Sequence, residues 1–160
     1  MRDSKMSMLK IVFIALILTI INGCDSKPKG SVEKMHWDRD MCERCKMAIS
    51  ERKFAVEAID MKKNRTYKFD DIGCTVLWMS ENKIPIDNNI KLWITDAKTG
   101  KWIDAKSAIY TDDSLTPMAY GFAAYTKETL PKNHHTIDFK SVAKKIFVIE
   151  KLNTQKVNSQ

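Results

Sequence analysis

In Phe54-Ala-Val-Glu-Ala-Ile-Asp60, the apolar side chains of alternate residues share one face, which is the pattern of a β-strand. The stretch Thr66-Tyr-Lys-Phe69 alternates in the same way, and the polar residues 62–65 before it are typical of a turn. Together they predict a β-hairpin. Asp70 follows directly and is suited to cap a helix over about residues 71–81.

Further elements extend this pattern to an α+β fold. Lys91-Leu-Trp-Ile-Thr95 predicts a third strand, so residues 37–98 follow the order β-β-α-β. Thr136-Ile-Asp-Phe-Lys-Ser-Val142 repeats the pattern of residues 66–72, with Thr and Phe at matching positions. We therefore expect two small related β-β-α-β halves packed together, the second over residues 99–152.

The N-terminus has the features of a bacterial export signal. Basic residues in the first ten positions precede an uncharged stretch from Ile11 to Ile21, which is too short to span a bilayer. The sequence Ile21-Asn-Gly-Cys24 that follows resembles a lipobox. We expect residues 1–23 to be a lipoprotein signal peptide and Cys24 to be lipidated. An ordinary signal peptide with Cys24 as an unmodified thiol is the alternative.

The composition is that of a small globular protein. Of 160 residues, 44% are hydrophobic and 29% are charged, which excludes collagen-like and wholly disordered chains. The net charge is +7, but the basic residues lie among acidic ones without interleaved aromatic residues, so no nucleic-acid partner is expected. Polar residues 24–36 are expected to form a lipidated tether, and residues 153–160 a polar tail.

Sulfur-bearing side chains are concentrated in one short polar segment. Cys42, Cys45 and Met47 supply three soft donors, and thiolate and thioether ligands favour Cu(I). If this segment is extended, Cys45 and Met47 face the same way. Met118, in a loop after a proline, and His36 are further candidate ligands. The segment therefore predicts a Cu(I) site.

Two other interpretations of the pair Cys42 and Cys45 stay open. A structural zinc site needs four ligands, and Cys74 with the adjacent His134 and His135 could complete it only across the fold. A thiol–disulfide oxidoreductase has the same cysteine spacing at the start of a helix. The segment after Cys42 has little helical periodicity.

Two further features are assigned structural roles. Cys74 lies in a helix that is apolar on most sides, so we expect it to be a core residue. The adjacent Asp70 and Asp71 are expected to cap this helix rather than to act as catalytic carboxylates. With no phosphate-binding loop and no nucleophile motif, the sequence does not predict an enzyme.

Several of these segments resemble one known family, the nitrous-oxide-reductase accessory lipoproteins, or NosL family. The resemblance covers about residues 38–142 and the lipobox. Lys46 and Ala119 depart from it, because the family commonly has glycine at both positions. The matching segments, in family order, are Cys42-X-X-Cys45-X-Met47, Phe54-Ala55, Tyr67-Lys-Phe-Asp-Asp-Ile-Gly-Cys74, Trp102-Ile-Asp-Ala105 and Thr116-Pro-Met-Ala-Tyr-Gly-Phe-Ala-Ala124.

This resemblance implies a membrane-anchored periplasmic Cu(I) chaperone. Its partners would be the copper ion, nitrous oxide reductase with its membrane ABC-type maturation complex, and the lipid bilayer reached through Cys24. The implied copper ligands are Cys45, Met47 and Met118, followed by Cys42. The alternatives are a tethered thiol–disulfide oxidoreductase that uses Cys42 and Cys45, and a zinc-binding envelope lipoprotein.

Overall fold

A computed structural model describes residues 28–87 and 89–159. The predicted signal peptide and the predicted lipidation site Cys24 lie outside these residues. The predicted α+β class is confirmed. In chain order, the elements are β1 (Val56–Asp60), β2 (Arg65–Phe69), α1 (Ile72–Glu81), β3 (Ile90–Thr95), β4 (Trp102–Asp104), β5 (Ile109–Thr111), β6 (Ala123–Tyr125) and α2 (Phe139–Asn158).

The predicted hairpin of β1 and β2 belongs to a four-stranded antiparallel sheet of order β2-β1-β3-β4. Strands β5 and β6 form a separate antiparallel pair. Helix α1 packs against β1 and β2, and α2 packs against α1 and β5. The structure does not confirm two related β-β-α-β halves, because β4 joins the first sheet and the remaining elements follow the order β-β-α.

Helix α1 is capped by Asp71 and not by Asp70, so the predicted cap is wrong by one residue. Asp71 has an extended backbone, and its Oδ1 atom accepts a hydrogen bond from the Gly73 N–H at 2.6 Å. This is the contact that an N-cap side chain makes with the second residue of a helix. The side chain of Asp70 is therefore available for another contact.

Residues 28–37, which we call the strap, cover one face of the four-stranded sheet. Lys68 on β2 and Trp93 on β3 both lie opposite Glu57 on β1 in the strand register. The three side chains therefore form a row across adjacent strands. Each bonds to the main chain of the strap: Lys68 Nζ to the Lys34 carbonyl (2.9 Å), Glu57 Oε2 to the Glu33 N–H (2.9 Å), and Trp93 Nε1 to the Gly30 carbonyl (3.0 Å).

One hydrophobic core connects the strap, the sheets and the helices, and its buried members run from Met35 to Ile146. Helix α2 continues beyond this core to Asn158, so residues 153–158, expected as a polar tail, are helical. Neither helix in the described part of the chain has the length and hydrophobicity needed to cross a membrane. All the contacts described here lie within residues 28–159, so a fragment of residues 28–160 retains every one of them.

Candidate metal centre

Cys42 and Cys45 lie in a tight turn. The N–H of Cys42 donates to the Met47 carbonyl at 2.8 Å, and the N–H of Lys46 donates to the Cys42 carbonyl at 3.0 Å. Lys46 has a φ angle of 60°, in the left-handed region. The segment is therefore not extended, and the condition under which Cys45 and Met47 would face the same way is not met. The turn brings the two cysteines toward one point beneath it.

Four donor atoms from three elements meet at this point. The turn supplies Cys42 and Cys45, the end of β2 supplies Asp70, and the first turn of α1 supplies Cys74. One ligand atom of each residue lies within 4.8 Å of those of the other three. Cys45 is partly exposed, whereas the other three residues are buried. We call these four residues the thiol cluster, and they could hold a metal ion.

The predicted Cu(I) ligands did not include Asp70 and Cys74, and Cys74 was considered as a ligand only for a zinc site completed across the fold. Cys74 is fully buried, as expected for a core residue, but its sulfur atom also belongs to the donor group. Asp70 was assigned the cap that Asp71 makes. The closeness of Asp70 and Cys74 in the sequence was the available signal, because the two lie within four residues of each other at the start of α1.

Hydrogen bonds and burial set the charge of the thiols. A hydrogen bond from the Cys74 thiol is the main cause that lowers the pKa of Cys42 to about 6; burial opposes it, and the N–H groups of Cys45 and Asp70 add to it. The pKa of Cys74 itself is raised, first because its thiol donates this hydrogen bond and second because it is buried. Burial is the main cause that raises the pKa of Cys45 to about 12. Of the three thiols, Cys42 is therefore the one that loses its proton most readily.

The carboxylate of Asp70 has one oxygen with a partner and one without. The Cys45 thiol donates to Oδ2 of Asp70 at 3.3 Å. Oδ1 of Asp70 is buried and has no hydrogen-bond partner among the described residues. Leaving a buried acceptor unpaired costs free energy, and a bound cation would satisfy it. The donor chemistry of the thiol cluster thus fits a metal ion.

The segments that carry the two predicted thioether ligands adjoin the cleft next to Asp70. Met47 is 47% exposed, and its main-chain N–H partly offsets the rise in the pKa of Cys45. Met118 is partly buried against the core and follows a loop at the edge of the cleft. The cleft has a volume of about 370 Å³, and the residues that line it include Met47, Asp70, Leu115, Thr116 and Pro117. This cleft gives an approach to the cluster from solvent.

The histidines considered as ligands do not join the thiol cluster. His36 is exposed, and the two adjacent histidines lie near the turn that follows β5. Each has a nearby carboxylate: His36 Nδ1 lies 3.5 Å from Asp40, His134 Nδ1 2.8 Å from Asp113, and His135 Nδ1 3.4 Å from Asp112.

Arg44, inside the turn, fixes the thiol cluster to both helices. Its guanidinium lies 3.0 Å from Glu81 on α1 and 2.7 Å from Glu150 on α2. It also donates to the Tyr120 hydroxyl at 3.3 Å, and this hydroxyl donates to Glu150 at 2.8 Å. A Cβ atom at Gly73 would lie 2.0 Å from the Tyr120 ring, so the helix and this ring are in close contact. These contacts hold the ligand-bearing elements in place.

Neither the protein-family models nor the curated proteins compared with this chain match it. The resemblance to NosL proteins therefore stays a prediction that rests on the motifs quoted above.

Proposed function

We propose that this protein is a membrane-anchored periplasmic chaperone that binds Cu(I) in the thiol cluster. The observation that carries the proposal is the convergence of three cysteine sulfurs and one carboxylate oxygen within 4.8 Å. Cu(I) prefers soft thiolate and thioether ligands and accepts a low coordination number. We assign Cys42, Cys45 and Cys74 as its ligands.

The surroundings of the thiol cluster suit a site that passes its metal on. Cys45 is partly exposed, and the cleft beside it is lined by Met47 and leads to the loop that carries Met118. We assign both methionines to the entry and exit of copper. A thioether is a weaker ligand than a thiolate, so it can take the place of one thiolate at a time while the ion moves in or out. A partner can therefore take over the ion without the cluster opening fully.

The proposed recipient is nitrous oxide reductase, reached through its membrane ABC-type maturation complex. This part of the proposal rests on the resemblance of the motifs to the NosL family. A lipid on Cys24 would confine the chaperone to the membrane surface and raise its effective concentration near a membrane-bound partner. The described residues do not include Cys24.

A zinc-binding envelope lipoprotein is the second candidate, and the unpaired oxygen of Asp70 favours it. Structural zinc sites are almost always four-coordinate, with nitrogen, oxygen or sulfur ligands. Three thiolates and Asp70 would complete such a site. Cu(I) bound by three thiolates does not need this carboxylate, so Asp70 distinguishes the two metals.

A thiol–disulfide oxidoreductase is less well supported. Catalytic cysteines have a lowered pKa and are accessible to their substrate. Here the cysteine with the lowered pKa, Cys42, is fully buried, whereas burial raises the pKa of the more exposed Cys45 to about 12. The pair also lies in a turn and not at the start of a helix.

The test is an anaerobic Cu(I) titration of the reduced fragment 28–160 in competition with a chromogenic chelator. This fragment lacks Cys24, so its thiols are those of the cluster. We expect one Cu(I) per chain and loss of binding in the variant Cys42→Ser/Cys45→Ser/Cys74→Ser. Met118→Leu should change the rate of transfer to the chelator, with Met61→Leu as the matched control. Undiminished binding by the triple variant would overturn the proposal.

A further inference from the structure

The outer face of α2 carries an exposed apolar strip. Phe147, Val148 and Leu152 are between 46% and 59% exposed, although α2 packs against the body of the protein through Val142 and Ile146. At 100° per residue, the three exposed side chains fall within about 140° of arc on the side opposite Val142 and Ile146. This strip therefore has no partner within the described chain.

Lysine side chains surround the apolar strip. Lys144 and Lys151 fall within the same arc of the helix, and both are exposed. Between residues 139 and 160 the chain has five lysines and one acidic residue, Glu150. Glu150 is held by Arg44 and Tyr120 on the other side of the helix. The outer face of α2 is thus both apolar and positively charged.

We propose that the outer face of α2 binds the surface of an anionic lipid bilayer. A helix with lysines beside an exposed apolar strip can lie in the plane of the interface, with its apolar side chains among the lipid head groups and acyl chains. Each lysine near an anionic surface contributes an attraction that weakens within a Debye length. The net charge of residues 28–160, which is +5, acts in the same direction.

This binding face is separate from the thiol cluster and does not depend on the proposed metal. It also differs from the lipid predicted at Cys24, because it uses residues at the opposite end of the sequence. A second contact through α2 would keep the protein at the membrane and limit its rotation there.

Vesicle flotation of the fragment 28–160 tests the proposal without any contribution from Cys24. We expect binding to vesicles of phosphatidylcholine mixed with phosphatidylglycerol, and little binding to phosphatidylcholine alone. Binding should be lost in about 1 M salt, where the Debye length is about 3 Å. Equal binding to both kinds of vesicle, or binding that salt leaves unchanged, would overturn the proposal.

Matched variants locate the binding face. Lys144→Gln/Lys151→Gln should weaken binding roughly 30-fold, and Phe147→Gln/Leu152→Gln at least about tenfold. Two control variants, Lys53→Gln/Lys98→Gln and Leu115→Gln, alter exposed residues outside α2. Both should bind vesicles like the unaltered fragment. If the α2 variants bind normally, or if the strip instead forms dimers in sedimentation experiments while vesicle binding is absent, the proposal is wrong.

Discussion

The Sγ atom of Cys45 lies 3.3 Å from Oδ2 of Asp70. This contact joins the two-cysteine turn to the junction between β2 and α1, which are 25 residues apart in the sequence. It is possible because Asp71 caps the helix and Asp70 does not. The same junction carries Cys74, so one short segment supplies half of the thiol cluster.

Asp70→Asn separates the two candidate metals. We expect the affinity for Zn(II) to fall by at least about tenfold, because a tetrahedral site loses an anionic ligand. The affinity for Cu(I) should change little, since three thiolates complete its shell. Competition with metal chelators measures both affinities, and the exposed Asp113→Asn is the control. A large loss of Cu(I) affinity would show that the carboxylate is needed for copper.

Cys74→Ser tests the residue that the sequence analysis placed in the core. We expect at least about a tenfold loss of Cu(I) affinity, because the cluster loses a thiolate. The free energy of unfolding of the metal-free fragment should fall by about 1 kcal/mol, since serine has nearly the same shape. Urea unfolding and Cu(I) competition measure the two effects. A loss of stability with unchanged Cu(I) affinity would return Cys74 to a core role.

Lys46→Gly and Ala119→Gly should each stabilise the protein. Both residues have left-handed backbones, with φ angles of 60° and 58°, and both stand where the resembling family commonly has glycine. A side chain in this region costs about 1–2 kcal/mol, partly offset by the greater chain entropy of glycine when unfolded. We expect a gain of about 0.5–1 kcal/mol for each in urea unfolding.

The control for these glycine variants is Lys53→Gly, which alters an exposed lysine outside the set of left-handed residues. It should lower the free energy of unfolding or leave it unchanged, because glycine relieves no strain there. If all three variants have the same effect, the backbone conformation is not the cause.

Glu57 makes the stability of the protein depend on pH. It is fully buried, and its Oε1 has no partner among the residues described. Burial is the main cause that raises its pKa from 4.5 to about 7; the Glu33 N–H and Lys68 oppose this shift, and the charges of Glu33 and Asp40 add to it. The protonated form is therefore favoured in the folded state.

The resulting stabilisation is fully present below pH 4.5, the ordinary pKa, and is lost as the pH rises through about 7. The total change is about 3 kcal/mol. Glu57→Gln removes the titration, so its free energy of unfolding should vary less between these pH values. The exposed Glu51→Gln should keep the dependence of the unaltered protein. Urea unfolding at a series of pH values measures the free energy of unfolding of the unaltered protein and of both variants. If this free energy varies with pH in the same way in all three proteins, Glu57 does not have this role.

The sequence was sufficient for the elements whose pattern is local. The hairpin follows from its alternating apolar residues, and α1 follows from apolar residues on most of its sides. The spacing of Cys42 and Cys45 was enough to identify this pair as candidate metal ligands. The sequence was not sufficient to place the cap of α1, because Asp70 and Asp71 are adjacent and have the same capping chemistry. That shift concealed Asp70 as a member of the thiol cluster.

Long-range contacts account for the other differences. Nothing in the periodicity near Cys74 indicates that its sulfur faces the turn of Cys42 and Cys45, since this depends on how α1 packs. The strap likewise looks like a polar tether, and its attachment depends on three side chains from different strands. The pairing of β5 with β6, outside the four-stranded sheet, also depends on contacts between residues that are distant in the sequence.

X-ray absorption at the copper edge, on the fragment 28–160 loaded with one Cu(I), identifies the atoms that bind the ion. We expect a first shell of sulfur atoms alone, contributed by Cys42, Cys45 and Cys74, and loss of this signal in the triple serine variant. A first shell that contains nitrogen or oxygen, or an unchanged spectrum in that variant, would contradict this expectation.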